Sequence, residues 1–200
     1  MSGIITISRE YGAGGHSIAR HVAAELGIEL YDRDIIRDTV KDSGLDTSVI
    51  EQEEEEISRM DAFLRRITPA AYVDRREAIH EIERKVILML AAKGPCIILG
   101  RCADAILDRA NVDCLNVFIY ADDLHRAARI GEIIGSKNPT DIQKAMKKTD
   151  AARRSYYEQF TGKHWGDSRN YTLSLDTGFL GYDTCVRLIC EAARKADAFA

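Results

Sequence analysis

The chain has 200 residues, enough for one domain with a sizeable core, and its 46% hydrophobic and 30% charged residues describe a globular protein. A formal net charge of −4 excludes a nucleic-acid-binding surface spread over the whole molecule, though a local basic pocket is compatible with it. No apolar run reaches membrane-spanning length and no charged leader precedes the first strand, so a cytoplasmic location without membrane partners is expected. The five cysteines, at 96, 102, 114, 185 and 190, form no CxxC pair and have no histidine at ligand spacing, which predicts reduced thiols rather than a zinc site.

In chain order, Ile4-Ile5-Thr6-Ile7 predicts a strand, Gly12, Gly14 and Gly15 a turn, and Ile18, Val22 and Leu26 a helix that Gly27 stops. Strand, glycine-rich turn and immediate helix make a phosphate cradle: backbone N–H groups point into the turn with the positive end of the helix dipole behind them. The missing Cβ atoms are expected to let an anion approach the backbone. In the best register on GxxxxGK[ST], Arg9 stands at the first glycine and Gly14 at the second. Gly15 then falls where the phosphate lysine belongs, and His16 where the hydroxyl residue belongs, with Ser17 one place later. The dinucleotide pattern GxGxxG fits Gly12 and Gly14 but meets Ser17 at its third position. An ordinary glycine-rich βα turn is the alternative.

Gly27 to Asp32 predicts a short second strand, and Asp32-Arg33-Asp34 leads into a helix bearing Ile35, Ile36 and Val40 that closes at Ser43-Gly44. Charges at the carboxyl end of a strand lie where an open α/β sheet binds ligands, with a capping aspartate as the alternative. Residues 46–72, with Glu51 and Glu53 to Glu56, read as one or two solvated rim helices ending near Pro69. Asp74 is expected to open a long helix with Ile79, Ile82, Val86 and Met89 buried, stopping at Lys93-Gly94-Pro95.

Cys96 to Leu99 reads as a buried parallel strand, which sets Arg101 at the ligand edge, where its fork can grip a phosphate; a surface arginine is the alternative. Leu115 to Tyr120 is a further strand, and Asp122-Asp123 caps a helix with Arg126 and Arg129 three apart on one face. The next helix starts at Asn138-Pro139-Thr140 and runs toward Tyr156-Tyr157, carrying Lys147, Lys148, Asp150, Arg153 and Arg154. Tyr171 to Asp176 is the last strand, and the closing helix buries Val186, Ile189, Cys190 and Ala193. Strands alternating with helices specify a three-layer α/β/α sandwich around a mainly parallel sheet of about five strands.

These pieces resemble the nucleoside monophosphate kinases among the P-loop NTPases, and in particular the cytidylate kinase-like family, over nearly the whole chain. Gly12-Ala13-Gly14 is similar to that family's phosphate loop, and Gly100-Arg101 to its Gly-Arg-Asp segment, here with Asp104 three residues on. Val117 to Arg129 resembles its strand and lid-entry helix, Asp150-Ala151-Ala152-Arg153 its lid Asp-x-x-Arg, and Asp176-Thr177 its C-terminal segment. The departures are Gly15 for the phosphate lysine, Met146 for the basic residue before the lid aspartate, and an arginine, Arg37, shifted by one in the monophosphate-binding helix.

The resemblance implies one P-loop kinase-like domain over 1–200, with a helical acceptor-binding insert at 33–72 and a lid-like segment at 136–166. It implies ATP and Mg²⁺ as cofactors, with magnesium near Ser17, and a nucleotide donor and small phosphorylated acceptor as partners. Arg9, Gly12, Ala13, Gly14, Gly15, His16 and Ser17 are the expected donor-phosphate site, Arg9 standing in for the lysine. Asp32, Arg37, Arg101 and Asp104 are the expected acceptor side, and Arg126, Arg129, Asp150 and Arg153 the catalytic group brought by a lid. The activity implied is ATP-dependent phosphotransfer to a cytidylate-like nucleoside monophosphate. The competing readings are a non-catalytic nucleotide-binding or regulatory module and a dinucleotide-dependent enzyme, the latter opposed by Ser17 and by the arginine-rich second half.

Overall fold

The run Ile4–Arg9 forms β1, the middle strand of a five-stranded sheet whose order is β2-β3-β1-β4-β5 and whose pairs are all parallel. The computed structural model of the chain describes residues 3–42 and 69–197. In order they form β1, α1 (Gly15–Leu26), β2 (Glu29–Tyr31), α2 (Arg33–Asp42), α3 (Pro69–Ala91), β3 (Cys96–Leu99), α4 (Ala103–Arg109) and β4 (Leu115–Tyr120). There follow α5 (Asp123–Ile134), α6 (Pro139–Thr161), a 3₁₀ turn (Ser168–Asn170), β5 (Leu173–Asp176), α7 (Thr177–Leu180) and α8 (Tyr182–Asp197). The three-layer expectation therefore holds. The acidic run within residues 46–72 lies outside the described residues, as does the stop at Ser43-Gly44.

Period-two alternation along the strands builds two cores. Ile5 and Ile7 of β1 join Ile97 and Leu99 of β3 under α1 and α8, while Ile4, Cys96 and Ile98 face α3 and α4. Right-handed crossovers explain the layering: the chain leaves β1 in one direction toward β2, and leaves β3 in the other toward β4. A crevice consequently opens above the carboxyl ends of β1 and β3, which is where a ligand binds such a sheet.

Two local expectations need correction. Helix α3 starts at Pro69 rather than Asp74, since proline is accommodated in a helix's first turn, where its missing N–H would be unpaired anyway. Its buried stripe is Ile79, His80, Glu83, Val86, Ile87 and Leu90, whereas Met89 is 40% exposed. Met89 precedes Leu90 by one residue, about 100° of helix, and the buried polar pair His80 and Glu83 masks the stripe in sequence.

Gly14 precedes α1 with φ of 81°, and the Tyr182 ring of α8 lies against it. A Cβ there would meet Tyr182 Cε1 at 2.6 Å and lie closer still to Cζ and Oη. The glycine is thus required by the backbone turn and by helix packing, rather than by room for an anion as the sequence implied. Gly14→Ala should cost on the order of 3 kcal/mol of unfolding free energy, from left-handed strain plus the clash. Gly27→Ala, at φ of 66° with nothing within 4 Å, should cost only about 1 to 2 kcal/mol. Denaturant titration checks the difference, and equal costs would contradict the packing role.

Candidate phosphate-binding site

The alternation that buries Ile5 and Ile7 beneath α1 sends Arg9, the last residue of β1, to the same side, over the amino end of α1. Its stem crosses Gly15, where a Cβ would lie 2.7 Å from Arg9 Cβ and 2.8 Å from Cγ, and its Nη1 abuts Gly100 beyond β3. Arg9 therefore fills the space that a side chain at position 15 would take. Burial first, then the like charges of Arg153, Arg101 and Arg33, push the Arg9 pKa down to about 9, against the pull of Asp32. Among the described residues no carboxylate stands within ion-pair distance of Arg9 or of Arg153. Guanidinium keeps its proton in proteins, so such crowding is relieved by an anion.

The amides of Gly14, Gly15, His16 and Ser17 donate to no protein acceptor among the described residues, as expected of a helix start. The Arg9 guanidinium and these amides thus bring positive charge to the amino end of α1. The Ser17 hydroxyl stands half-buried in the first turn of α1, while His16 is exposed and its Nε2 lies 3.3 Å from Asp32.

Helices α5 and α6 close on the loop from the other side. Arg153 of α6 donates from Nη1 to the Arg9 carbonyl at 2.9 Å, and its guanidinium lies over the Tyr11 ring, 5.7 Å from the centroid. Burial pushes the Arg153 pKa below the usual arginine value. Asp150 accepts from the Tyr11 amide at 2.8 Å, and Arg126 donates from Nε to the Tyr11 carbonyl at 2.9 Å. Arg126 is also ion-paired to Glu10 at 3.1 Å and to Asp150. Burial raises the Glu10 carboxyl above its ordinary value, and Arg126 opposes that rise. Paired with Glu10, Asp150 and, at 3.8 Å, Asp123, and donating to a carbonyl, Arg126 braces the loop and is not available to swing onto a ligand. Arg129 departs further from expectation: its side chain is exposed and paired with Glu132 at 2.7 Å. Position 130, not 129, continues the buried face of α5, so the three-residue spacing carries Arg129 off it.

On the acceptor side, Asp32 caps α2, accepting from the amides of Asp34 and Ile35, both at 3.1 Å. Arg37 lies on the half-buried face of α2. Arg101 follows β3 in the left-handed region, φ 58°, with 17% of its side chain exposed and its guanidinium ion-paired to Glu83. Asp104 is buried and accepts from Tyr157 Oη at 2.7 Å, with its carboxyl held above the usual range by burial. Asp104 therefore ties α4 to α6 instead of facing an acceptor. Arg109, which donates to the Phe160 carbonyl at 2.9 Å, anchors the same end of α6.

Sequence reading missed Glu10, His80, Glu83 and Tyr156. Tyr156 Oη donates to Glu83 at 2.6 Å and sits 3.0 Å from His80 Nδ1, and His80 stacks on Phe160 at 4.0 Å. The signal available for Glu83 and His80 was two polar residues falling on the apolar stripe of α3.

A model of the cytidylate kinase-like family matches residues 4–178. The chain belongs to that family. Among solved structures, this cytidylate kinase-like protein is similar to an uncharacterized protein from Eubacterium ventriosum, with 26% identity and a TM-score of 0.74 over 96% of this chain and 98% of the other. Shikimate kinase from Acinetobacter baumannii, in complex with shikimate, shares 14% identity with a TM-score of 0.52 over 96% of this chain and 93% of its own. Shikimate kinase from Bacteroides thetaiotaomicron gives 14%, 0.51, 96% and 98% for the same measures. These last two show the fold alone, the P-loop kinase fold. No curated protein matches the chain. Among the described residues no helix is long and apolar enough to cross a membrane.

Burial, and then Arg101, push the His80 pKa from 6.5 down to about 4. A depressed basic group adds stability above its unfolded pKa and loses it as pH falls toward the folded one. Wild type should lose about 2 kcal/mol more than His80→Phe between pH 7 and 4.5 in urea unfolding. Parallel pH profiles for the two proteins would contradict the assignment.

Proposed function

We propose that this protein is an ATP-dependent phosphotransferase that passes the γ-phosphoryl group to a small phosphorylated acceptor, with cytidylate-like nucleoside monophosphates as the first candidates. The observation that carries the reading is Arg9 lying across Gly15, beside unbonded amides and Arg153, with no carboxylate partner for either guanidinium among the described residues. Phosphoryl transfer asks chiefly for positioning and for neutralisation of negative charge. In this reading the amides of residues 14 to 17 hold donor phosphate oxygens, and Arg9 supplies the cation that the lysine supplies in the standard pattern. Arg153 covers the transferring group from α6, and Arg101 faces the acceptor across Gly100. Asp150 and Arg126 hold the loop backbone so that its amides stay aimed at the donor.

Unpaired amides and uncompensated arginines fit the polyphosphate of ATP. Among the described residues no group of three or more His, Cys, Asp or Glu side chains could hold a metal. Magnesium, which would neutralise phosphate charge, would therefore be held mainly by the nucleotide, with the Ser17 hydroxyl as the nearest contribution from this chain. A non-catalytic nucleotide-binding module is the second reading, favoured by the absence of lysine at position 15. The placement of Arg9 in the same space weighs against it.

The test is ADP release from ATP and Mg²⁺ with a panel of nucleoside monophosphates. Arg9→Ala and Arg153→Ala should each lower kcat/KM by roughly 100-fold or more, about 3 kcal/mol of transition-state stabilisation. ATP binding with no acceptor consumed would support the module instead.

Gly15→Lys alone should destabilise the protein, because its Cβ meets Arg9 Cβ at 2.7 Å. The double variant Arg9→Gly/Gly15→Lys, which removes both the Cβ and the Cγ that the new side chain would meet, should regain stability and at least a tenth of wild-type ATP affinity. If the double variant binds ATP no better than Arg9→Gly alone, the equivalence of Arg9 and the lysine fails.

A further inference from the structure

Charge is distributed unequally across the crevice. Arg9 and Arg153 have no carboxylate within ion-pair distance among the described residues, whereas Arg101 has Glu83 seated on its guanidinium. Glu83 belongs to the buried stripe of α3 and is 2% exposed, so it is placed by the fold and not by a chance surface encounter. Its second partner is Tyr156 Oη of α6 at 2.6 Å, and His80 Nδ1 stands 3.0 Å from that hydroxyl. The Arg101 guanidinium also lies over the Tyr156 ring at 5.0 Å from its centroid, which orients the fork toward the carboxylate.

We propose that Glu83 is a specificity-determining residue: its buried carboxylate shares the guanidinium that the acceptor side offers, so a dianionic phosphate drawn to Arg101 meets a like charge and must compete with Glu83 for it. A phosphate that displaces Glu83 leaves the carboxylate in a buried setting with the Tyr156 hydroxyl as its hydrogen-bond donor, and an uncompensated buried charge is costly. The pair therefore disfavours acceptors whose anchor is a phosphate dianion. It ranks acceptors anchored by a neutral or singly charged group ahead of the nucleoside monophosphates named above as first candidates. This deepens the preceding reading and rests on the acceptor-side role given there to Arg101. Glu83 acts through Arg101 and is a positioning residue.

The experiment is equilibrium binding of inorganic phosphate and of cytidine 5′-monophosphate to the full chain and its variants. Glu83→Gln keeps the size and the acceptor for Tyr156 while removing the charge, and should tighten both ligands at least tenfold. Adding Arg101→Gln in that background should abolish the gain, which separates this site from phosphate bound at the glycine loop. Tyr156→Phe should act in the opposite sense, weakening both ligands a few-fold, because a displaced Glu83 would then lose its second partner. A purely structural Glu83 would give losses in both variants. Unchanged or weaker binding in Glu83→Gln, or a gain that survives the loss of Arg101, overturns the proposal. If Glu83→Gln fails to fold, Tyr156→Phe decides, and unchanged or tighter binding there overturns it. ATP binding is measured separately, with Arg153→Ala as the donor-side variant. Absent ATP binding together with the Glu83→Gln gain would refute the phosphotransferase reading and leave the role of Glu83 standing.

Discussion

The structure turns on uncompensated positive charge held above the carboxyl end of the central strand. Arg9 is delivered there by the two-residue period of β1, and Arg153 by α6, more than a hundred residues later in the chain. Burial and mutual repulsion lower the pKa of Arg9, and burial lowers that of Arg153. Such an arrangement is unfavourable without an anion and becomes favourable when one enters, which supports the proposed phosphate site. The unbonded amides at the start of α1 add a second source of the same sign of potential.

Around this pair the fold spends its other charges on rigidity. Glu10, Arg126 and Asp150 form a partly buried cluster whose hydrogen bonds end on Tyr11, so the loop backbone is held by α5 and α6 together. The far half of α6 is tied to the body through Tyr157 with Asp104 and through Phe160 with Arg109. The helix expected to behave as a lid thus reaches the loop from an anchored base. Trp165, donating to Ser8 Oγ at 3.1 Å, extends the anchoring to β1 itself.

Much of this was legible in sequence. Alternating strands and helices gave the layered sheet, and the glycine turn after β1 located the crevice, because both depend on local periodicity and on backbone freedom that glycine alone supplies. Arg9 could be singled out in sequence because position 15 lacks a side chain, and the structure lays the Arg9 stem across that glycine. The side-chain partnerships were not legible. Arg126 and Arg129 look equivalent at three-residue spacing, yet one is buried between two carboxylates and the other is solvated beside Glu132. Asp32 and Asp104 both stand near strand ends, but one caps a helix and the other is buried against Tyr157. The pairing of Glu83 was not legible because its partner, Arg101, is brought to it only by the packing of α3 on β3. Long-range contacts of this kind follow from topology, which periodicity fixes only coarsely.

The most direct test of the central claim is the thermal stability of wild type and Arg9→Met, each with and without inorganic pyrophosphate. If Arg9 is a half-buried, uncompensated charge awaiting an anion, Arg9→Met should be more stable than wild type without ligand, since an apolar side chain of similar length removes the repulsion. Pyrophosphate should raise the Tm of wild type and leave that of Arg9→Met nearly unmoved. A less stable Arg9→Met that pyrophosphate still stabilises as strongly as wild type would contradict the account.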